Sequence, residues 1–304
     1  MRGSVLITGG SGLLAVNWGI IERERNRVIL GLHKRRVTLA GVETRPIQLE
    51  STDDVLRALD ETMPHLVVHT AGLTSVETCE SAPRLAREVN VEMAAHVARA
   101  CAQRQVSLVH ISTDHLFSGD QPFADEERPV SPLNVYAATK AAAEVEVLAA
   151  HPKALVIRTN FYGWGPDYRR SFSDGIVRAL RSGTDINLFH DVFFTPILIE
   201  TLVAAVNDLV SAGAAGIFNV VGDERISKHA FGLALAKQAR LDPRPIKAGS
   251  ILDRPGLVRR PLDMSLSNAK VCVRLGRKLG VIAGEVPRLF RQETVGLAQE
   301  IQIL

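Results

Sequence analysis

The sequence predicts an α/β chain in which a doubly wound parallel sheet carries a smaller, loop-rich C-terminal lobe. Three observations predict it. Short β-branched runs alternate with amphipathic helical patterns throughout the first half. Those runs are almost continuously apolar, as strands covered on both faces of a parallel sheet must be. From residue 160 onward the texture changes, and FYGWGPDYRR, DVFFTP, LDPRP and DRPGLVRRP bring aromatics, prolines and loops.

Taken in order, the expected strands are SVLIT (4–8), RVILGL (27–32), HLVVHT (65–70), VSLVHIS (106–112) and ALVIRT (154–159). Between them, TDDVLRALDETM has helical periodicity from Thr52, with Ser51 or Thr52 as its cap, and a longer helical stretch runs over 82–104. GIFNVVG (216–222) and ISKHAFGLALAKQ (226–238) read as one more strand and helix returning to the sheet. This gives a first domain over 1–159, rejoined by 216–238, and a second lobe made mainly of 160–304.

Composition narrows the class. The 304 residues are 46% hydrophobic and 23% charged, which supplies ample material for a core. A formal net charge of +3, with acids and bases interspersed, argues against a nucleic-acid surface and suits an anionic small molecule. Cys79, Cys101 and Cys272 are odd in number and lack paired spacing, so neither a disulfide framework nor a metal cluster is expected. The N-terminus has no signal-like apolar region, and no stretch approaches about 18 consecutive apolar residues, so no membrane association and a cytoplasmic location are expected.

The first strand runs directly into TGGSGLLA. Gly9, Gly10 and Gly12 allow a sharp turn and a close backbone approach to a pyrophosphate, whose charge the following helix N-terminus meets; small Ala15 lets helix and strand pack closely. Placed at the end of the first strand of a βα series, this pattern predicts a Rossmann-type dinucleotide site that includes Gly9, Ser11, Gly12 and Leu13. No Gly-Lys-Ser/Thr follows, which argues against a P-loop. At the end of the second strand, where an acid would select a ribose 2′-hydroxyl, stand His33, Lys34, Arg35 and Arg36, which favours NADP(H) over NAD(H). Further on, Tyr136 and Lys140 are spaced i, i+4, so one helix face presents a phenol and an ammonium a turn apart.

Together, TGGSGLLA, HTAGLTSVETCE (69–80), VHISTDHLFSGD (109–120) and NVYAATK resemble the extended short-chain dehydrogenase/reductases. Within them the chain is most similar to the dTDP-4-dehydrorhamnose reductase branch, through Ser112-Thr113-Asp114-His115-Leu116-Phe117-Ser118-Gly119, VIRTNFYG (156–163), DVFFTP (191–196) and RRPLDMSLSNAK (259–270). The likeness covers nearly the whole chain.

The resemblance implies reduction of the 4-keto group of a nucleotide-activated deoxysugar by NADP(H), in a chain that would form the homodimer common in the superfamily. Tyr136 would donate the proton to the carbonyl, Lys140 would hold the nicotinamide ribose and depress the phenol pKa, and Thr113 would hydrogen-bond the carbonyl oxygen. An ammonium about 5 Å from a phenol, at an effective dielectric of about 20, is worth roughly 3 kcal/mol, or about two pKa units. Ala71, Gly72, Leu73, Ser112 and Phe161 would line the cofactor; Asp114, His115, Asn160 and Phe161, with Glu77 as a weaker candidate, would face substrate.

The chain also departs from the branch. Ala15 replaces a glycine, His115 stands where a tyrosine is usual, Glu50 stands for an aspartate at the adenine side, and Asn160-Phe161 replaces Ser-Trp beside the sugar. These departures bear on specificity rather than on redox competence. Two alternatives belong to the same superfamily. A sugar-nucleotide epimerase or dehydratase would retain its NAD, but the dehydratase's Asp-Glu pair beside the threonine is Asp114-His115 here. A regulatory, non-catalytic NADP-binding subunit is the other.

Overall fold

The computed structural model describes residues 3–304. Its central sheet has seven parallel strands. They are β1 Ser4–Thr8, β2 Arg27–Leu32, β3 Glu43–Pro46, β4 Leu66–His69, β5 Ser107–Ile111, β6 Leu155–Arg158 and a last strand, Gly216–Asn219, which follows a long excursion. In space the last strand comes first, followed by β6, β5, β4, β1, β2 and β3. The order reverses between β1 and β4, so the connections leaving their carboxyl ends diverge and open a crevice there.

Sequence patterning missed one strand of this sheet. β3 reads ETRP, polar and ending in proline, and pairs only with β2 at the sheet edge, where burial imposes no apolar run. The stretch 82–104 is helical but interrupted: Pro83–Arg87 leads through a wide turn, Glu88–Glu92, into Met93–Arg104. Ser51 caps the helix Thr52–Thr62 by accepting from the Asp54 N–H at 3.1 Å.

The two sheet faces carry different cores. Leu6, Ile29, Val67, Leu108 and Val156 face the helices Thr52–Thr62, Met93–Arg104 and Val135–Ala150. Ile7, Leu30, Val68, Val109 and Ile157 face the opposite way, into a core shared with Phe194, Phe231 and Leu289 of the second half. The helix Leu13–Glu22 lies on this side and packs against Ile199–Ser211, which explains why it is apolar nearly all round and buries eight of its ten residues.

The segment expected to return over 216–238 divides. Gly216–Asn219 pairs with β6. Helix Lys228–Ala239 instead packs against helices Phe172–Ser182 and Ile282–Thr294 and the strand pair Ile186–Phe189 and Ile246–Gly249, because Phe231 completes an aromatic cluster with Tyr162, Phe172 and Phe194. Among the described residues no helix is long and apolar enough to cross a membrane.

Candidate active site

A cleft of about 530 Å³ lies at the crevice between β1 and β4. At its floor Gly9 has φ +70°, and a Cβ there would stand 2.8 Å from the Ala71 backbone; a Cβ on Gly10 would meet Leu30 Cβ at 2.7 Å. The Gly12 N–H donates to the Gly9 carbonyl at 2.7 Å and closes the turn. Helix Leu13–Glu22 then begins at Gly12 with no side-chain cap, so its first N–H groups face the cleft. Gly9, Ser11, Gly12 and Leu13 line the cleft on this side, with Ala71 and Gly72 opposite. A glycine turn in which Gly9 and Gly10 admit no Cβ, leading into an uncapped helix start, fits the pyrophosphate of a dinucleotide.

Other members of the expected cofactor set stand differently. His33 lines the cleft with its Nε2 3.5 Å from Glu50 Oε1, while the Glu50 carboxylate accepts from the Leu49 N–H at 2.8 Å. Lys34 and Arg35 are exposed and outside the lining; the Arg35 guanidinium lies over the Tyr168 ring, 4.1 Å from its centroid. Leu73 is also outside it. Asn90 binds both Leu73 backbone groups, accepting from the N–H at 2.7 Å and donating to the carbonyl at 3.1 Å, and the leucine side chain packs beneath Tyr136 with Val76.

Tyr136 and Lys140 lie one turn apart near the start of helix Val135–Ala150, buried and facing the cleft. The cap is Asn134, which accepts from the Ala137 N–H and donates to the Arg259 carbonyl, both at 2.9 Å, and so fixes this end of the helix against the second lobe. Lys140 Nζ donates to the Ile111 carbonyl at 2.7 Å and stands 3.4 Å from His110 Nε2. Burial pushes the lysine down to about 8, with Glu144 acting in the opposite direction.

Burial likewise pushes the Tyr136 phenol up to about 12, and a hydrogen bond with Thr113 works against it. The expected depression of the phenol by Lys140 is therefore overturned: desolvation dominates, and the ammonium is directed at a strand carbonyl.

Thr113, Asp114, His115, Asn160 and Phe161 all line the cleft beside the tyrosine. The Asp114 carboxylate is buried and accepts from Asn160 Nδ2 at 2.6 Å and from the Thr113 hydroxyl at 3.3 Å. His115 stands edge-on to Tyr136, with ring centroids 5.7 Å apart, and its Nδ1 has no hydrogen-bond partner among the described residues. Burial holds this imidazole below its usual range. Ser112 also lines the cleft, but its hydroxyl donates to Glu144 at 2.5 Å, and Glu144 pairs with buried Arg158 at 2.7 Å. Glu77 lies outside the lining and pairs with Arg260.

Sequence reasoning missed several groups here. Asn90, which holds the end of β4 and donates to Thr139 Oγ1 at 3.0 Å, gives no signal because its partners are 17 and 49 residues away. Arg169 and Arg170 reach the cleft from the second lobe, in a loop that no periodicity marks. Lys228 is half-buried; its Nζ lies 3.4 Å from the Phe194 ring centroid, and burial pushes it down to about 8, with Asp114 acting in the opposite direction.

Comparison with known proteins places this architecture. The family described as RmlD substrate binding domain matches residues 1–293. The chain is 27% identical to the "Probable low-salt glycan biosynthesis reductase Agl14" of Haloferax volcanii, over 87% of this chain and 90% of the relative. It is 31% identical to a dTDP-4-dehydrorhamnose reductase of Mycobacterium tuberculosis, over 67% and 68% of the two chains. In fold it is similar to the crystal structure of dTDP-4-dehydrorhamnose reductase from Bacillus anthracis in complex with NADP, with a TM-score of 0.86 at 24% identity, covering 96% of this chain and 100% of the other.

Proposed function

The chain belongs to the RmlD substrate binding domain family, and on that premise we propose that it reduces the 4-keto group of a nucleotide-activated deoxysugar, using NADPH in preference to NADH. The observation that carries this reading is the convergence of Tyr136, Lys140 and Thr113 on one end of the cleft whose other end is the glycine cradle. A bound nicotinamide dinucleotide supplies the hydride. Everything else falls to the chain's own side chains.

Tyr136 keeps its proton at neutral pH, since its pKa stands near 12, and its hydroxyl is the proton donor to the carbonyl oxygen. Thr113 lines the cleft beside that phenol, and its one hydroxyl proton, which now rests on Asp114 at 3.3 Å, turns to the same carbonyl oxygen as a second hydrogen bond. Lys140, anchored by Ile111 and beside His110, retains donors for a ribose hydroxyl and supplies positive charge where the phenolate forms. The unpartnered His115 Nδ1 and the Asp114–Asn160 pair are positioned to read the sugar's hydroxyls.

The test is NADPH oxidation measured against a panel of 4-keto sugar nucleotides. Turnover with at least one is expected. Normal NADPH binding without oxidation across the panel overturns the reductase and leaves the regulatory, cofactor-binding role. Cofactor that co-purifies and is never consumed points instead to an epimerase.

A further inference from the structure

A five-residue strap crosses the mouth of the cleft above the glycine turn. Both of its ends are pinned. At one end Asn17, buried in helix Leu13–Glu22, donates to the Trp164 carbonyl at 2.8 Å, and the Trp164 indole donates to the Leu289 carbonyl at 3.0 Å. Asp174, within the cap of helix Phe172–Ser182, ties the two ends together, accepting from the Gly165 N–H at 2.5 Å at the first and from the Ser171 N–H at 3.2 Å at the second. A Cβ on Gly165 would lie 2.8 Å from Leu13 Cδ1, so the strap leaves its anchor in contact with the glycine turn.

Between the pins, Tyr168 and Arg169 reach opposite walls. The Tyr168 hydroxyl donates to the Ser11 carbonyl at 2.9 Å. Arg169 Nη2 donates to the Thr74 hydroxyl at 2.8 Å, beyond the end of β4. The strap therefore spans the groove at the level of Ser11, where a pyrophosphate would lie.

Charge singles out Arg169. The first half of the chain contributes no arginine to the cleft lining and one lysine, Lys140, at the far end beside Tyr136. Arg170 lines the cleft, but its Nη2 donates to Asp167 at 3.1 Å. Arg169 forms no ion pair among the described residues, and its hydroxyl contact with Thr74 is exposed to water. An exposed hydrogen bond to a neutral hydroxyl is weak, whereas a guanidinium–phosphate pair is charge-assisted and bidentate. The phosphate wins that competition.

We propose that Arg169 is a cofactor-binding residue supplied by the second lobe, which leaves Thr74 to hold the pyrophosphate while Tyr168 keeps the strap against the glycine turn. This rests on the dinucleotide part of the proposed function and adds a residue outside the glycine turn.

The test is equilibrium titration of the purified chain with NADPH and with NADH, followed by nucleotide fluorescence, on wild type, Arg169→Ala, Arg169→Lys and Thr74→Val. Arg169→Ala is expected to weaken both nucleotides by a similar factor of about tenfold or more, and Arg169→Lys by less, since lysine keeps the charge without the fork. Thr74→Val removes only the competing contact, so it is expected to bind both at least as tightly as wild type. An unchanged affinity in Arg169→Ala overturns the proposal, as does a loss confined to NADPH, which would place Arg169 at the 2′-phosphate. Equal weakening in Thr74→Val and Arg169→Ala also overturns it, by making the Arg169–Thr74 bond itself the element that matters. Failure of wild type to bind either nucleotide would instead overturn the proposed function.

Discussion

The wall of the cleft made by the ends of β1, β4 and β5 and the wall made by residues 158–171 hold their polar groups by different means. On the first, main-chain geometry does the holding: Gly9 at positive φ against Ala71, Lys140 on the Ile111 carbonyl, and Asn90 on both backbone groups of Leu73. On the second, side chains reach across the cleft to side chains far away in sequence, Asn160 to Asp114 across 46 residues and Arg169 to Thr74 across 95. A backbone contact survives most substitutions of its neighbours, and a side-chain pair does not. The first wall is therefore the place for chemistry shared by many substrates, and the second is where selectivity can change without loss of the reaction.

The sharpest way to break this division is Tyr136→Phe. The ring keeps its packing beside Val76 and its edge contact with His115, and only the acidic hydroxyl is lost. Turnover is expected to fall by about 10²–10⁴-fold with NADPH affinity unchanged, measured by steady-state kinetics beside titration. Equal losses in both would mean that the tyrosine is a binding residue and that the first wall does not separate the two tasks.

Gly9→Ala tests the geometry of the same wall. A side chain at φ +70°, with its Cβ 2.8 Å from the Ala71 backbone, forces the turn open at a cost of about 1–3 kcal/mol. NADPH affinity should fall by about tenfold or more, alongside a lower thermal midpoint. An unchanged affinity would show that the cradle is not the nucleotide's seat.

Much of the first wall was legible because its signals are local. Apolar runs set the strands, glycines mark a turn that only they can make, and an i, i+4 pair needs nothing but a helix to bring Tyr136 and Lys140 together. The edge strand Glu43–Pro46 was not legible, since an edge imposes no apolar pattern. Nor was the tyrosine's electrostatics, because the extent of burial around residue 136 depends on Cys79, Val76 and Leu73 from distant segments. On the second wall, Asn160 and Phe161 were recognisable as departures from a motif, but the bond from Asn160 to Asp114 was not. The roles of Arg169 and Thr74 exist only once the loop has closed over the groove.

Asn160→Ala probes the second wall. It removes the 2.6 Å donor to Asp114 and leaves a buried carboxylate short of a partner. The expected result is a KM for the sugar nucleotide raised by about tenfold, with cofactor affinity within experimental error of wild type. A loss of cofactor affinity instead would make the two walls one unit.

Acidity sharpens the comparison from another side. Lys140 is lowered from 10.5 to about 8, so its ammonium is present below that pH and is lost as pH rises through it. The groups facing it are Tyr136, Glu144, His110 and His69; burial holds both histidines neutral, and the phenol remains protonated up to about 12. Turnover in the reductive direction should therefore halve near pH 8 and fall by about tenfold per unit above it. A limb that moves in Lys228→Met rather than in Lys140→Met would assign the titration to the second lobe, whose lysine is also pushed down to about 8.

The smallest effect is expected at Arg35. In the NADPH reading this guanidinium serves the 2′-phosphate from outside the cleft, exposed to solvent and resting on Tyr168. An exposed charge pair is worth about 0.2–1 kcal/mol and is screened by salt, so one arginine beside Lys34 and Arg36 gives only a few-fold discrimination. Arg35→Ala should weaken NADPH by about threefold, leave NADH unchanged, and lose even that difference as salt is raised. If NADH weakens as much as NADPH, the effect runs through Tyr168: losing its guanidinium partner would loosen the strap and reduce affinity for any dinucleotide. That outcome would move Arg35 from the reading of the 2′-phosphate to support of the second wall, and would leave the choice between the two nucleotides to His33 and Glu50, which are already at the cleft.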